Sequence, residues 1–143
     1  MKISKDAQAV IYKKDSDVIE FLLLKRFDKD LDETHYRLVK GGIEDGESSK
    51  EASVRETKEE TGLTNLVAKE KLDQYSYQAG DVQHDVDVFL IENTENEEIK
   101  IDSTNEGGFT IEGVEWVSSD EANEYLNFDQ EKSSIKKALN IIQ

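Results

Sequence analysis

Between Gly41 and Leu63 the chain reads GGIEDGESSKEASVRETKEETGL, in which six Glu and one Asp accompany a single Arg, Arg55. Ser48 and Glu51 have the spacing of a capping box and Gly62 that of a C-terminal cap, so a helix is expected from Ser48 or Ser49 up to Gly62. At about 100° per residue, Glu56, Glu59 and Glu60 fall on one side of that helix and Val54, Thr57 and Thr61 on the other. Like charges one turn apart repel, so the pattern has two readings. One is a solvated, charged face, the common fate of clustered Glu. The other is a site for a hard divalent cation. Mg²⁺ takes oxygen donors, a few of them carboxylates, together with water and substrate phosphate, and the cation would offset the repulsion. In either reading the acidic side is expected to face solvent.

The rest of the chain limits what such a site could serve. With 143 residues, one domain (1–143) is expected, large enough to bury a core. There is no Cys, which excludes disulfides, thiolate metal sites and a Cys nucleophile, and there is no Pro. The net charge is −15, which argues against a nucleic acid polymer as partner, because phosphate backbones are held by Lys and Arg. A phosphate ligand would need a cation as bridge. No apolar run is long enough for a signal peptide or a membrane span, so no membrane partner and a cytoplasmic location are expected.

The elements that must position the acidic helix are legible in part. Ala7 to Lys13 alternates like a strand, Lys13 to Asp17 reads as a turn, and Val18 to Arg26 is a strand apolar enough to be buried on both faces. Tyr36 to Val39 is a short extended piece. Lys71 to Gln78 and Val86 to Ile91 read as strands around a polar loop containing His84, which is expected to be solvated. Ile99 to Ile101 and Val114 to Val117 are further strand candidates. Ser118 and Glu121 form a second capping box, opening a short helix to Leu126. Gln130 to Ile142 is a last helix with Ile135, Ala138, Leu139 and Ile142 inward. Asp28, Asp30 and Asp32 begin like a calcium loop, but Glu33 stands where glycine is needed and Val39 where Glu is needed, so a solvated loop is expected.

The spacing Gly41, five residues, Glu47, seven residues, Arg55-Glu56-Thr57-Lys58-Glu59-Glu60-Thr61-Gly62-Leu63 resembles the Nudix box, the signature of the Nudix hydrolases. Every fixed glycine and polar position matches; Thr57 stands where the box has an aliphatic residue. If its hydroxyl is buried unbonded, valine should be more stable there. HYRLVKG (His35 to Gly41) resembles the approach to the box, with Val39 in place of Pro, and EGVEWVSSDEANEYL (Glu112 to Leu126) resembles the late strand, Trp and short helix of many members. The resemblance implies an α/β fold, the Nudix α/β/α sandwich with a mixed central sheet.

It also implies hydrolysis of a nucleoside diphosphate derivative with Mg²⁺ or Mn²⁺. Carried onto this chain, Glu56 and Glu60 are direct metal ligands, Glu59 binds directly or through water and polarises the nucleophile, and the Gly41 carbonyl is a further ligand. Arg55 holds Glu47 and its neighbours. The general base varies in the family, and Glu106, Glu112 and Glu115 are candidates. Arg26, Arg37 and Lys40 are the cations expected to meet a small-molecule nucleotide substrate's phosphates, and Tyr77, Phe109 or Tyr36 could stack on a base. IEFLLLK, HYRLVKGGIEDGE, RETKEETGL and EWVSSDEA together resemble the asymmetric diadenosine tetraphosphate hydrolases. Against that, Ala79 to Asp87 has no Lys or Arg. Nucleoside triphosphate pyrophosphohydrolases, ADP-sugar hydrolases and non-catalytic nucleotide-binding modules are the alternatives.

Overall fold

A computed structural model describes residues 2–101 and 109–143. The elements, in order, are β1 (Lys2–Asp15), β2 (Val18–Asp28), β3 (Glu33–Arg37), β4 (Val39–Gly42), α1 (Ser49–Thr61), β5 (Leu66–Ala79), β6 (Val82–Asn93), β7 (Phe109–Val117), α2 (Ser119–Tyr125) and α3 (Asp129–Ile142). All seven strands join one sheet in the order β3-β2-β1-β6-β5, with β4 also on β1 and β7 also on β2. Among the described residues only β1 and β6 pair in parallel, so the sheet is mixed.

The junction of β1 and β2 determines where a site can form. The two strands pair only over Tyr12–Asp15 and Val18–Phe21 and then separate. β4 continues the ladder on the β1 side, over Asp6 to Ala9, and β3 on the β2 side, over Leu24 to Asp28. The strands β3 and β4 therefore fill a wedge between two diverging strands. The turn from β4 leads directly into α1.

Two apolar clusters lie on opposite faces of the sheet. Ala9, Ile11, Leu22, Leu24, Val39, Leu63, Ile91 and Ile111 form the α1 side. Val10, Phe21, Leu23, Leu90, Ala122, Leu126, Ile135 and Ala138 join β1, β2 and β6 to α2 and α3. This is the expected α/β/α layering. Helix α1 buries only Ala52, Ser53, Thr57 and Thr61 on its inner side, a thin and largely polar stripe.

Several sequence expectations change. Ile99 to Ile101 is not a strand; Ile99 and Ile101 pack against the α1-side cluster, and the Lys100 N–H caps the Thr61 carbonyl at 3.0 Å. Gly62 is required beside it. Its φ is 76°, and a Cβ there would come within 2.8 Å of the Lys100 carbonyl oxygen. β1 and β5 begin several residues earlier than expected: Lys2 to Asp6 is polar and is held by its ladder with β6, while Leu66 and Ala68 pair with β6 and pack against the α1-side cluster. His84 is not in a loop. β6 begins at Val82, and His84 pairs with Tyr77 on β5 and with Ser4 on β1. The stretch after Asp28 is a loop, in which the Asp28 carboxylate accepts from the N–H groups of Asp30 and Leu31.

Candidate active site

Helix α1 starts from a complete capping box. Ser48 Oγ accepts from the Glu51 N–H at 3.0 Å and Glu51 Oε1 accepts from the Ser48 N–H at 2.9 Å. That start orients Arg55, whose guanidinium is the centre of the acidic cluster. Its Nε and Nη2 donate to the two oxygens of Glu47 at 2.8 and 3.0 Å. Nη1 donates to Glu56 at 2.9 Å and Glu59 at 3.2 Å, and Nη2 also reaches the Gly42 carbonyl at 2.8 Å. A bidentate fork of this kind is geometrically specific. The bonds with Glu47 raise the Arg55 pKa, while Arg55 and then the Glu44 N–H hold the Glu47 carboxyl below its ordinary range.

The carboxylates differ in exposure. The Glu59 side chain is 56% exposed and that of Glu56 only 15%. Glu60 has its Oε2 out of reach of solvent. The acidic side of α1 is therefore not a purely solvated face: its Glu56 edge leans on β4, where Gly41 leaves no Cβ between strand and carboxylate. Among the described residues no three acidic or histidine side chains converge into a ready cage, since Arg55 draws Glu56 and Glu59 toward Glu47. The donor set is nevertheless that of a hard cation. It consists of carboxylates from Glu56, Glu59 and Glu60 beside the backbone of Gly41, with no nitrogen or sulfur donor among them.

The three expected phosphate-binding cations lie in the wedge and next to it, and each interacts with an acid. Arg37 Nε donates to Glu131 Oε1 at 3.0 Å, and its guanidinium stands 4.4 Å from the Phe128 ring centroid. Lys40 lies 3.4 Å from Asp6 Oδ2 and donates to the Tyr77 hydroxyl. Burial, followed by the charge of Arg37, lowers the Arg26 pKa; Glu60 and Glu131 act in the opposite sense. Arg26 is thus within electrostatic reach of both α1 and α3.

Glu131 was missed by sequence reading. It is 1% exposed, accepts from Gln8 Nε2, the Leu38 N–H and Arg37, and burial raises its pKa against the pull of Arg37. The signal was present: Glu131 shares a helix face with Ile135 and Ala138, so a carboxylate sits within an apolar stripe. Together with Arg37, Tyr75, Ser76, Tyr77 and Phe128 it lines a cavity of about 340 Å³. A wider depression of about 600 Å³ runs beside α1 and includes Lys50, Val54, Arg55, Lys58 and Glu59.

Of the candidate bases, Glu106 lies outside the described residues. Glu115 pairs in register with Leu23, faces the α2–α3 side and accepts from the Tyr36 hydroxyl, which places it across the sheet from α1. Glu112 accepts from Thr34 Oγ1. Tyr36 stacks on Tyr125, with ring centroids 4.9 Å apart, so its ring serves α2 packing.

Comparisons with known proteins agree with this arrangement. The NUDIX domain family model matches residues 4–139. Among solved structures, the Ap4A hydrolase of C. elegans in a binary complex superposes with a TM-score of 0.81 at 24% identity, covering 97% of each chain. The same hydrolase in a second structure gives 0.75 at 24% identity over 99% of each chain. The MutT protein of Methanosarcina mazei Go1 gives 0.74 at 20% identity, over 99% of this chain and 97% of that one. No curated protein matches in sequence. At these identities the structural likeness establishes the fold, and no helix among the described residues is long and apolar enough to cross a membrane. The family match, spanning nearly the whole sequence with every fixed glycine and polar position of the box present, establishes the rest: the chain belongs to the NUDIX domain family and is a Nudix pyrophosphohydrolase.

Proposed function

We propose that this single-domain enzyme cleaves a dinucleoside tetraphosphate asymmetrically, diadenosine tetraphosphate to ATP and AMP, using Mg²⁺ or Mn²⁺. The observation that carries metal-dependent hydrolysis is the Arg55 fork, which orders Glu47, Glu56 and Glu59 around the Gly41–Gly42 backbone; the choice of the dinucleotide is supported by the resemblance of several separate stretches of the sequence to the asymmetric diadenosine tetraphosphate hydrolases. A merely solvated helix face needs no such centre. A bound divalent cation would supply charge neutralisation at the phosphate oxygens and a more acidic attacking water. Glu56, Glu60 and the Gly41 carbonyl would hold that cation, and Glu59, far more exposed than Glu56, would orient the water. Arg55 and Glu47 keep the carboxylates in position.

The cavity between β5 and α3 supports a nucleotide end group. Tyr77 and Phe128 offer ring surface for a base, with Arg37 stacked on Phe128. Arg37 lines that cavity, Lys40 donates to its Tyr77, and Arg26 is within electrostatic reach of Glu60 and Glu131, so a phosphate chain would run past these cations toward the acidic helix. Lys50 and Lys58 on α1 line the wider depression and add cations for a longer chain. The net charge of −15 favours a small cytoplasmic nucleotide over a polymer or a membrane surface.

Nucleoside triphosphate pyrophosphohydrolysis is the second reading, and one observation favours it. Arg37 and Lys40 are each paired with an internal acid, Glu131 and Asp6, and a shorter phosphate chain needs fewer cations. A panel of diadenosine tetraphosphate, nucleoside triphosphates and ADP-ribose, with products separated by chromatography, distinguishes the two. The highest kcat/KM is expected for the dinucleotide. A higher value for a nucleoside triphosphate selects the second reading, and no metal-dependent cleavage of any compound overturns both.

A further inference from the structure

Asp6 and His84 form a pair that the hydrolytic machinery leaves unexplained. Asp6 is 4% exposed and sits on β1 between β4 and β6, in register with Gly42 on one side and Val86 on the other. Its Oδ1 accepts from Ser4 Oγ at 2.8 Å. Its Oδ2 meets His84 Nδ1 at 2.7 Å and the Lys40 ammonium at 3.4 Å. A carboxylate that close fixes the imidazole with a proton on Nδ1, and so fixes the ring's orientation. The held ring lies flat against Tyr77, with centroids 4.7 Å apart and planes 6° apart. Tyr77 is 37% exposed and lines the cavity beside Phe128. Lys40 bridges the same two partners, reaching both Asp6 and the Tyr77 hydroxyl.

A tyrosine on an edge strand has two soft torsions and usually loses rotamer freedom when it binds a flat ligand. Here one face of the ring is covered and its hydroxyl is held before any ligand arrives. We propose that Asp6 and His84 are positioning residues for the base of the substrate. Asp6 locks His84, His84 locks the plane of Tyr77, and the preset ring selects compounds that carry a flat aromatic base over those that carry only sugar and phosphate. The inference rests on the nucleotide reading of the cavity and adds to it a determinant far in sequence from the box.

The test compares AMP with ribose 5-phosphate, titrated into wild type, His84→Ala, His84→Phe and Asp6→Asn while the tyrosine ring resonances are followed by NMR. Wild type should bind AMP more tightly than ribose 5-phosphate. His84→Ala should weaken AMP binding about three- to tenfold, the range of a lost aromatic pair, and leave ribose 5-phosphate unchanged. His84→Phe, which keeps a flat ring, should recover most of the loss, and Asp6→Asn should fall between Ala and wild type. In turnover of a nucleoside polyphosphate, His84→Ala should raise KM by a similar factor with kcat within about twofold. Undiminished preference for AMP in His84→Ala, or a fall in kcat without a change in KM, overturns the positioning role while the nucleotide reading stands. A wild type that binds the two compounds equally overturns both.

Discussion

Gly41 and Glu56 share one space: a methyl group on Gly41 would overlap the Glu56 carboxylate. The φ of Gly41 is not in the left-handed region, so glycine is needed there for room rather than for conformation. The displaced atoms would be the end of a flexible side chain, so the fold can absorb a substitution that the site cannot. Gly41→Ala is therefore expected to lower kcat/KM by about 10- to 100-fold, the cost of moving a catalytic group by about an ångström. The melting temperature should stay close to that of wild type. Full activity in Gly41→Ala would show that the position of Glu56 does not matter.

The buried stripe of α1 separates two threonines that look alike in sequence. Thr57 Oγ1 donates to the Ser53 carbonyl at 2.8 Å, so the premise for a stabilising valine, an unbonded hydroxyl, does not hold. Thr57→Val removes a donor together with its bond and is expected to cost no more than about 1 kcal/mol. Thr61 Oγ1 donates to the Thr57 carbonyl and also accepts from the buried Leu63 N–H at 3.1 Å. Thr61→Val leaves that N–H without its acceptor and should cost about 1–3 kcal/mol. Urea unfolding of both variants gives the order, and a larger loss in Thr57→Val would contradict it.

Glu97 is the group whose titration should be visible in stability. Hydrogen bonds from Thr64, from the Asn65 and Thr64 backbone and from Asn93 bring its pKa down to about 2, against partial desolvation. A carboxyl with a lowered folded-state pKa binds protons more readily when unfolded, so its stabilisation is complete above about pH 4.5 and is lost as pH falls toward 2. Glu97→Gln should be less stable than wild type at pH 7, and the two unfolding curves should draw together as pH falls below about 4.5 and converge near pH 2. A gap that stays constant from pH 7 to pH 2 would assign the effect to packing.

The acidic helix and its box were legible because their spacing is fixed by chemistry within one helix, where Ser48, Arg55, Glu56 and Gly62 lie close in sequence and space. The two-layer packing was legible from the apolar runs of β2 and β6 and the stripe of α3. What the sequence hid depends on pairing at long range. The strand made by Lys2 to Asp6 is too polar to show a buried pattern and is held by hydrogen bonds to β6. His84 reads as a solvated loop residue until β5 and β6 are aligned and Tyr77 lies opposite it. Glu131 is 94 residues from Arg37, and no local pattern connects them.

Divalent cations should stabilise the folded chain, because the unfolded chain has no carboxylate cluster to bind them. The melting temperature is expected to rise with millimolar Mg²⁺ or Mn²⁺, and the rise should shrink in Glu56→Gln. An equal rise in wild type and variant would place the cation elsewhere on the acidic surface.

The most direct test is the turnover of diadenosine tetraphosphate by wild type and Glu60→Gln across a Mg²⁺ titration, with circular dichroism to verify that both are folded. Wild type should show activity that requires the cation and saturates with it. Glu60→Gln should lose activity by a factor on the order of 100 or more, without recovery at saturating Mg²⁺, as expected when an interaction made in the transition state is removed. Wild-type turnover that needs no divalent cation, or a Glu60→Gln variant with near wild-type turnover, would contradict the assignment of the acidic helix as the catalytic metal site.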